Sequence, residues 1–149
     1  MTRLRISFLS DIRNSGIPWS LWPNAVYKIL IIKEFKKDYG ANVIAIDFGT
    51  AITIDVLQDG NFTGGAILPG FNTAMLALFS NTAQLPQVEL HIPDHSVGTN
   101  TTDNIQIGIL KIPILGIECL LKQIQIETDT EYTIVCTGGT GKLLRGCSD

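Results

Sequence analysis

Cysteine is scarce and unpatterned. The three cysteines, Cys119, Cys136 and Cys147, are an odd number at no metal-ligand spacing. That excludes a self-contained disulfide framework and fits reduced thiols in a cytoplasmic protein. The sequons Asn61-Phe-Thr and Asn100-Thr-Thr then read as chance matches. Histidine is scarcer still. His91 and His95 stand four apart with Pro93 between them, which speaks against a helical metal pair. Charged residues make up only 17% of the chain and the net charge is −3, so there is no basic surface to hold nucleic acid. The one lysine cluster, Lys33, Lys36 and Lys37, is diluted by Glu34 and Asp38 and reads as a solvated helix face. No long apolar run is present. The stretch from Gly108 to Leu121 is broken by Lys111, Pro113 and Glu118, too short and too polar to span a bilayer. The opening Met1-Thr-Arg-Leu-Arg is followed by Asp11 and Arg13 and makes a poor signal peptide. Internal repeats and low-complexity linkers are also missing.

What is present is core-forming material. A hydrophobic fraction of 45% in 149 residues suits one folded domain, 1–149. Its character changes near residue 40. Before that point the chain begins irregularly, with Pro18, Trp19, Trp22 and Pro23. Val26, Ile29, Leu30 and Phe35 then space an amphipathic helix over Asn24 to Tyr39, which Gly40 ends. After it, Asn42 to Asp47 is an apolar strand, and Ala51 to Leu57 alternates with period two. Asp59-Gly60 is a hairpin turn, and Phe62 to Leu68 returns as a third strand. Pro69-Gly70 leads into a helix carrying Met75, Leu76, Leu78 and Phe79. A short strand over Val88 to Ile92, a helix from about Thr101 to Gln123, a strand over Tyr132 to Cys136 and a final short helix near Gly141 complete the prediction. Strands in a meander followed by alternating helices and strands predict an α/β fold, a mixed sheet with an antiparallel meander and packed helices.

Four features carry chemistry. In Asp47-Phe-Gly-Thr-Ala-Ile-Thr-Ile-Asp55 an aspartate ends a strand and Gly49-Thr50 turns into the next. Glycine allows close backbone approach, and a hydroxyl with free N–H groups can bind phosphate oxygens, while the aspartate can hold a cation. An ordinary hairpin turn uses the same residues. Gly64-Gly65 lies inside a strand, which calls for a close ligand or a bulge. Thr137-Gly138-Gly139 follows a buried strand and would let a base or ribose lie against the backbone. Gly98-Thr-Asn-Thr101 precedes a helix, where hydroxyls cap it or leave N–H groups free for a carboxylate. Gly138-Gly-Thr-Gly-Lys142 is not a P-loop, because Cys136 stands where the first glycine belongs and Leu143 replaces the magnesium-binding hydroxyl.

In this order and spacing, with Pro69-Gly70 and Thr82-Ala-Gln-Leu-Pro86 between them, these motifs resemble type III pantothenate kinases over roughly Asn42 to Gly139. The resemblance implies an RNase H-like lobe of the actin-like ATPase fold over 41–149, preceded by a diverged segment and helix over 1–40. It implies transfer of the γ-phosphate of ATP to pantothenate, the first step toward coenzyme A, in a cytoplasmic homodimer using ATP, Mg and a monovalent cation, potassium or ammonium. It would make Asp47 the cation ligand and Gly49 and Thr50 ATP contacts. Gly64, Gly65 and Gly70 would shape the phosphate cleft, Gly138 and Gly139 would line the adenosine pocket, and Thr101 would contact pantothenate.

The chain departs from the pattern in several places. The family's Gly-x-Asp-Arg, which would supply the base and an arginine for pantothenate, corresponds to the stretch near Trp22-Pro-Asn24-Ala25, which holds neither. Nothing before Asn42 matches the family's first phosphate motif, since Asp11-Ile-Arg-Asn14 lacks its glycine, and the chain stops soon after Gly139. Lys111-Ile-Pro113 stands where glycines are usual, and Pro113 should kink its helix. General-base catalysis contributes about 10²–10⁴-fold, so the expectation is little or no kinase activity from this chain alone. The alternative is a non-catalytic nucleotide-binding or regulatory relative.

Overall fold

The computed structural model describes residues 6–8, 37–82 and 84–141. The helix expected over Asn24 to Tyr39 lies outside them except for residues 37–39, which are helical, with Gly40 following at φ 97°. Most of the irregular opening and the final helix also fall outside.

Five strands form one mixed sheet. They are β1 (Ile6–Phe8), β2 (Val43–Phe48), β3 (Ala51–Gln58), β4 (Asn61–Pro69) and β5 (Thr133–Thr137), ordered β1-β5-β2-β3-β4. β2 pairs antiparallel with β3 and β3 with β4, while β5 lies parallel to both β2 and β1. The meander and the later parallel strand match the sequence reading; β1 does not, because three residues carry too little pattern to announce a strand.

β2 is buried on both faces, which is why it reads as an unbroken apolar run. Ile44, Ile46 and Phe48 join Ile52, Ile54, Ile134 and Cys136 in the main core, and Val43 and Ala45 join Leu57 and Val135 on the opposite face. The β3–β4 hairpin turns at Asp59 and Gly60, with φ 53° and 75°. Two positive values define the turn type whose twist suits paired strands, and Asp-Gly supplies them cheaply. Asn42 anchors the turn by accepting the Asp59 N–H at 2.8 Å.

Helix α1 (Phe71–Asn81) packs on this face through Phe71 and Met75. Phe71 is fully buried and stacks on Phe48 with ring centroids 5.9 Å apart; burying such a side chain stabilises by roughly 1.5–3 kcal/mol.

The second helical stretch runs from Thr101 to Thr128 in three parts: α2 (Thr101–Gln106), a π turn (Ile107–Lys111) and α3 (Ile112–Thr128). Pro113 sits in the first turn of α3. Its ring crowds the carbonyl four residues earlier and offers no N–H. The expected disturbance therefore takes the form of the wide turn just before it, where the Ile112 N–H reaches Ile107 O. Asn100 caps the start, its side chain accepting the Asp103 N–H at 2.9 Å. By length and composition this 28-residue helix is apolar enough to cross a membrane, with mean hydropathy 1.5 over its best window. It is longer than the Gly108–Leu121 run. Ile105, Ile109, Leu110, Ile117 and Leu121 bury one side of it in the main core, as a core helix of a folded domain does.

The strand expected over Val88 to Ile92 is not formed. Val88 is buried, and Leu90 and Ile92 pack on the core, so the alternation is real. Its partner is a helix rather than a strand: Gln106 Nε2 donates to Glu89 O at 2.9 Å.

Candidate functional site

Strand direction gathers the site. β2 and β5 run parallel and end together, with Asp47 opposite Thr137. The β2–β3 turn, Gly49-Thr50, closes over that end, and Pro69 at the close of β4 is opposite Ala51. Asp47, Gly49, Thr50, Gly70, Gly138 and Gly139 therefore meet at one end of the sheet.

Backbone fit holds them there. Gly70 N–H donates to Thr50 O at 3.0 Å, and Thr73 Oγ1 donates to the same carbonyl at 2.7 Å. A Cβ on Gly70 would collide with the Gly49 and Thr50 carbonyls. Gly138 has φ 100°, and a Cβ there would fall 2.6 Å from both Asp47 Oδ1 and Phe48 N. Glycine is required twice over at that position. Thr140 closes the turn: its N–H and its hydroxyl both donate to Phe48 O, at 3.3 and 2.8 Å. Gly49 is different, because a Cβ on it would meet Ala51 O at an ordinary 3.5 Å. Thr50 and Gly139 are exposed, and Asp47 is half-buried.

Burial pushes the Asp47 carboxyl above its ordinary 3.8, and the neighbouring Asp55 charge adds to the effect. A carboxylate so placed gains from a cation. Among the described residues, no group of three or more histidine, cysteine or acidic side chains gathers to hold a metal. A cation at Asp47 would complete its shell from backbone oxygens, water or a phosphate-bearing ligand.

Gly64 and Gly65 lie farther along β4, opposite Val56 and Asp55. The register shifts there, leaving Thr63 as the extra residue, and its hydroxyl bonds Val56 O at 3.2 Å. Gly64 takes φ 147°, and a Cβ on Gly65 would strike Ile54 O. The pair serves a β-bulge. Thr101 stands exposed at the start of α2, on a different element from the sheet-end cluster. Asn24 lies outside the described residues. Sequence reasoning overlooked Thr73 and Thr140, whose hydroxyls hold the turns; a lone threonine after glycines carries no signal of a partner 92 residues away.

Fold and site together define a mixed α/β domain with a cluster of glycine-rich turns at the ends of its parallel strands. A family model described as type III pantothenate kinase matches residues 26–123. The type III pantothenate kinase of Petrotoga mobilis is 60% identical over 104 residues, covering 70% of this chain and 41% of that protein. That of Thermosipho africanus is 46% identical over 119 residues, 79% of this chain and 48% of that protein. A crystal structure of a Campylobacter jejuni protein, described as a Baf family transcriptional activator, superposes with TM-score 0.55 at 26% identity, covering 79% of this chain and 54% of that one. The chain belongs to the type III pantothenate kinase family. It spans about half the length of the curated relatives it matches.

Proposed function

We propose that the chain is an RNase H-like lobe of a cytoplasmic, homodimeric enzyme that phosphorylates pantothenate with ATP, and that the sheet-end cleft is its nucleotide site. The observation that carries this reading is the convergence of Asp47, Gly49-Thr50, Gly70 and Gly138-Gly139, from three separate stretches of sequence, on one edge of the sheet.

Phosphoryl transfer depends on positioning and charge neutralisation. The exposed Thr50 hydroxyl would hold phosphate oxygens, and Asp47 would hold a potassium or ammonium ion against them. Magnesium would arrive with the ATP phosphates, since it keeps most of its water and favours phosphate oxygens. Gly138 and Gly139 offer backbone without side chains for the adenosine to lie on. The bulge at Gly64 and Gly65 shapes the cleft indirectly: it lets β4 lie close on β3, which carries Pro69 and Gly70 to the Thr50 turn. Thr101 would contact pantothenate.

The stretch to which the family's acid corresponds, near Trp22-Pro-Asn24-Ala25, offers Asn24 and no acid, so on this reading the chain alone binds nucleotide with little or no turnover. The same residue favours the second reading, a relative that binds nucleotide without transferring phosphate. Amide NMR with a non-hydrolysable ATP analogue tests the site: shifts centred on Gly49, Thr50, Gly138 and Gly139 support it, and shifts confined elsewhere overturn it. Steady phosphorylation of pantothenate by the pure chain would overturn the statement about turnover.

A further inference from the structure

Residues 84–100 cross the helical face as a strap with no sheet or helix of their own. Val88 seats the strap in the core, and the strap's polar hold on the protein runs through side chains of the helix beneath. Gln106 takes the Glu89 carbonyl. One turn on, Lys111 Nζ meets three consecutive carbonyls, Pro93 O at 3.1 Å, Asp94 O at 3.1 Å and His95 O at 2.8 Å. His95 in turn lies against Asp103, Nε2 to Oδ2 at 3.3 Å, and Asp103 also accepts from Asn100 Nδ2 at 2.8 Å. Gly98 presses on Asn104 closely enough that a Cβ would collide with its backbone and side chain.

Three main-chain carbonyls converging on one ammonium form a cation cage. An ammonium has three N–H donors, one for each oxygen, and bonds to a charged donor are roughly twice as strong as neutral ones. The π turn makes the arrangement possible. It closes from one residue to the fifth beyond, so Gln106 and Lys111 fall one above the other on the strap side of the helix. In an unbroken α-helix, residues five apart point in different directions. The same turn accommodates Pro113, so proline, π turn and lysine act as one device.

We propose that the Lys111 ammonium is a tethered monovalent cation filling a carbonyl cage at Pro93, Asp94 and His95, and that it positions the strap that delivers Thr101. Lys111 is a positioning residue, and the cage itself is a site for ammonium-like cations once the lysine is removed. Only the second half of the proposal, the link to substrate, rests on the reading of Thr101 given above.

Hydrogen exchange on the full chain tests it. In Lys111→Ala the amides of Asp103 and Asn104, which Asn100 at the end of the strap holds, exchange about tenfold faster or more, while those of β2 keep their protection. Ammonium or methylammonium chloride then restores slow exchange, and choline chloride, too large for the cage, does not. Potassium extends the rescue if the cage recognises charge and size rather than N–H donors; rescue by ammonium, with or without potassium, upholds the proposal. Lys111→Met keeps the aliphatic stem and loses the charge, so it exchanges fast and is not rescued; it also serves if the alanine variant fails to fold. Wild-type exchange in either variant overturns the proposal, as does equal rescue by choline. If exchange behaves as proposed and pantothenate affinity is unchanged in Lys111→Met, the cage stands and the substrate role of Thr101 falls.

Discussion

Thr140 donates its hydroxyl to the carbonyl of Phe48 at 2.8 Å, across 92 residues of sequence. That bond ties the turn after β5 to the end of β2 and sets the spacing between Gly138 and Asp47. Replacing Thr140 by valine keeps the shape and removes the donor, a loss of about 1 kcal/mol. Urea unfolding should show that loss, with wild-type stability recovered in Thr140→Ser.

Gly138 and Gly49 should part company under the same substitution. Gly138→Ala places a Cβ against Asp47 Oδ1 and Phe48 in a left-handed backbone, and should cost at least ~2 kcal/mol. Gly49→Ala meets only ordinary contacts and should leave the thermal midpoint within a degree or two. Equal losses at both positions would mean that the turns at the sheet end are not packed as described.

Asp47 gives the fold a pH dependence of definite sign. Its folded pKa is raised above 3.8, first by burial and then by Asp55. The unfolded chain ionises first, so stability is full below pH 3.8 and falls as pH rises through the raised value. Asp47→Asn should therefore melt higher than the native chain at neutral pH, with the gap closing in acid. Potassium should raise the native midpoint at neutral pH and leave the asparagine variant unmoved.

The cysteines should react unequally. Cys136 is buried in the core, and burial pushes its thiol up to about 11, whereas Cys119 is exposed on α3. Only thiolate alkylates readily. Peptide mapping after brief iodoacetamide treatment should find Cys119 modified and Cys136 untouched until the protein unfolds.

Much of this was legible in the chain itself, for identifiable reasons. The apolar run of β2, the alternation of β3 and the Asp59-Gly60 turn are local signals, and local signals predicted them well. Val88 to Ile92 misled because alternation reports which side chains are buried, not what the backbone bonds to; here the Gln106 side chain, not a strand, takes the Glu89 carbonyl. Pro113 announced a disturbance but not its form. At the site, the glycines were visible by type, but the close approach at Gly138 is that of Asp47 and Phe48, which the sequence did not announce. Gly64 and Gly65 fitted a ligand or a bulge equally well on sequence, and only the Val56–Gly64 register separates the two. Thr73 and Thr140 were invisible, since each bonds a carbonyl more than twenty residues away.

The central claim is that the sheet-end cleft of this chain binds nucleotide. Calorimetric titration of ATP, with and without pantothenate and potassium, tests it most directly. The account predicts saturable binding that potassium and pantothenate each strengthen and that Gly138→Ala weakens. The absence of heat at millimolar ATP, from a chain whose fold is intact, would contradict it.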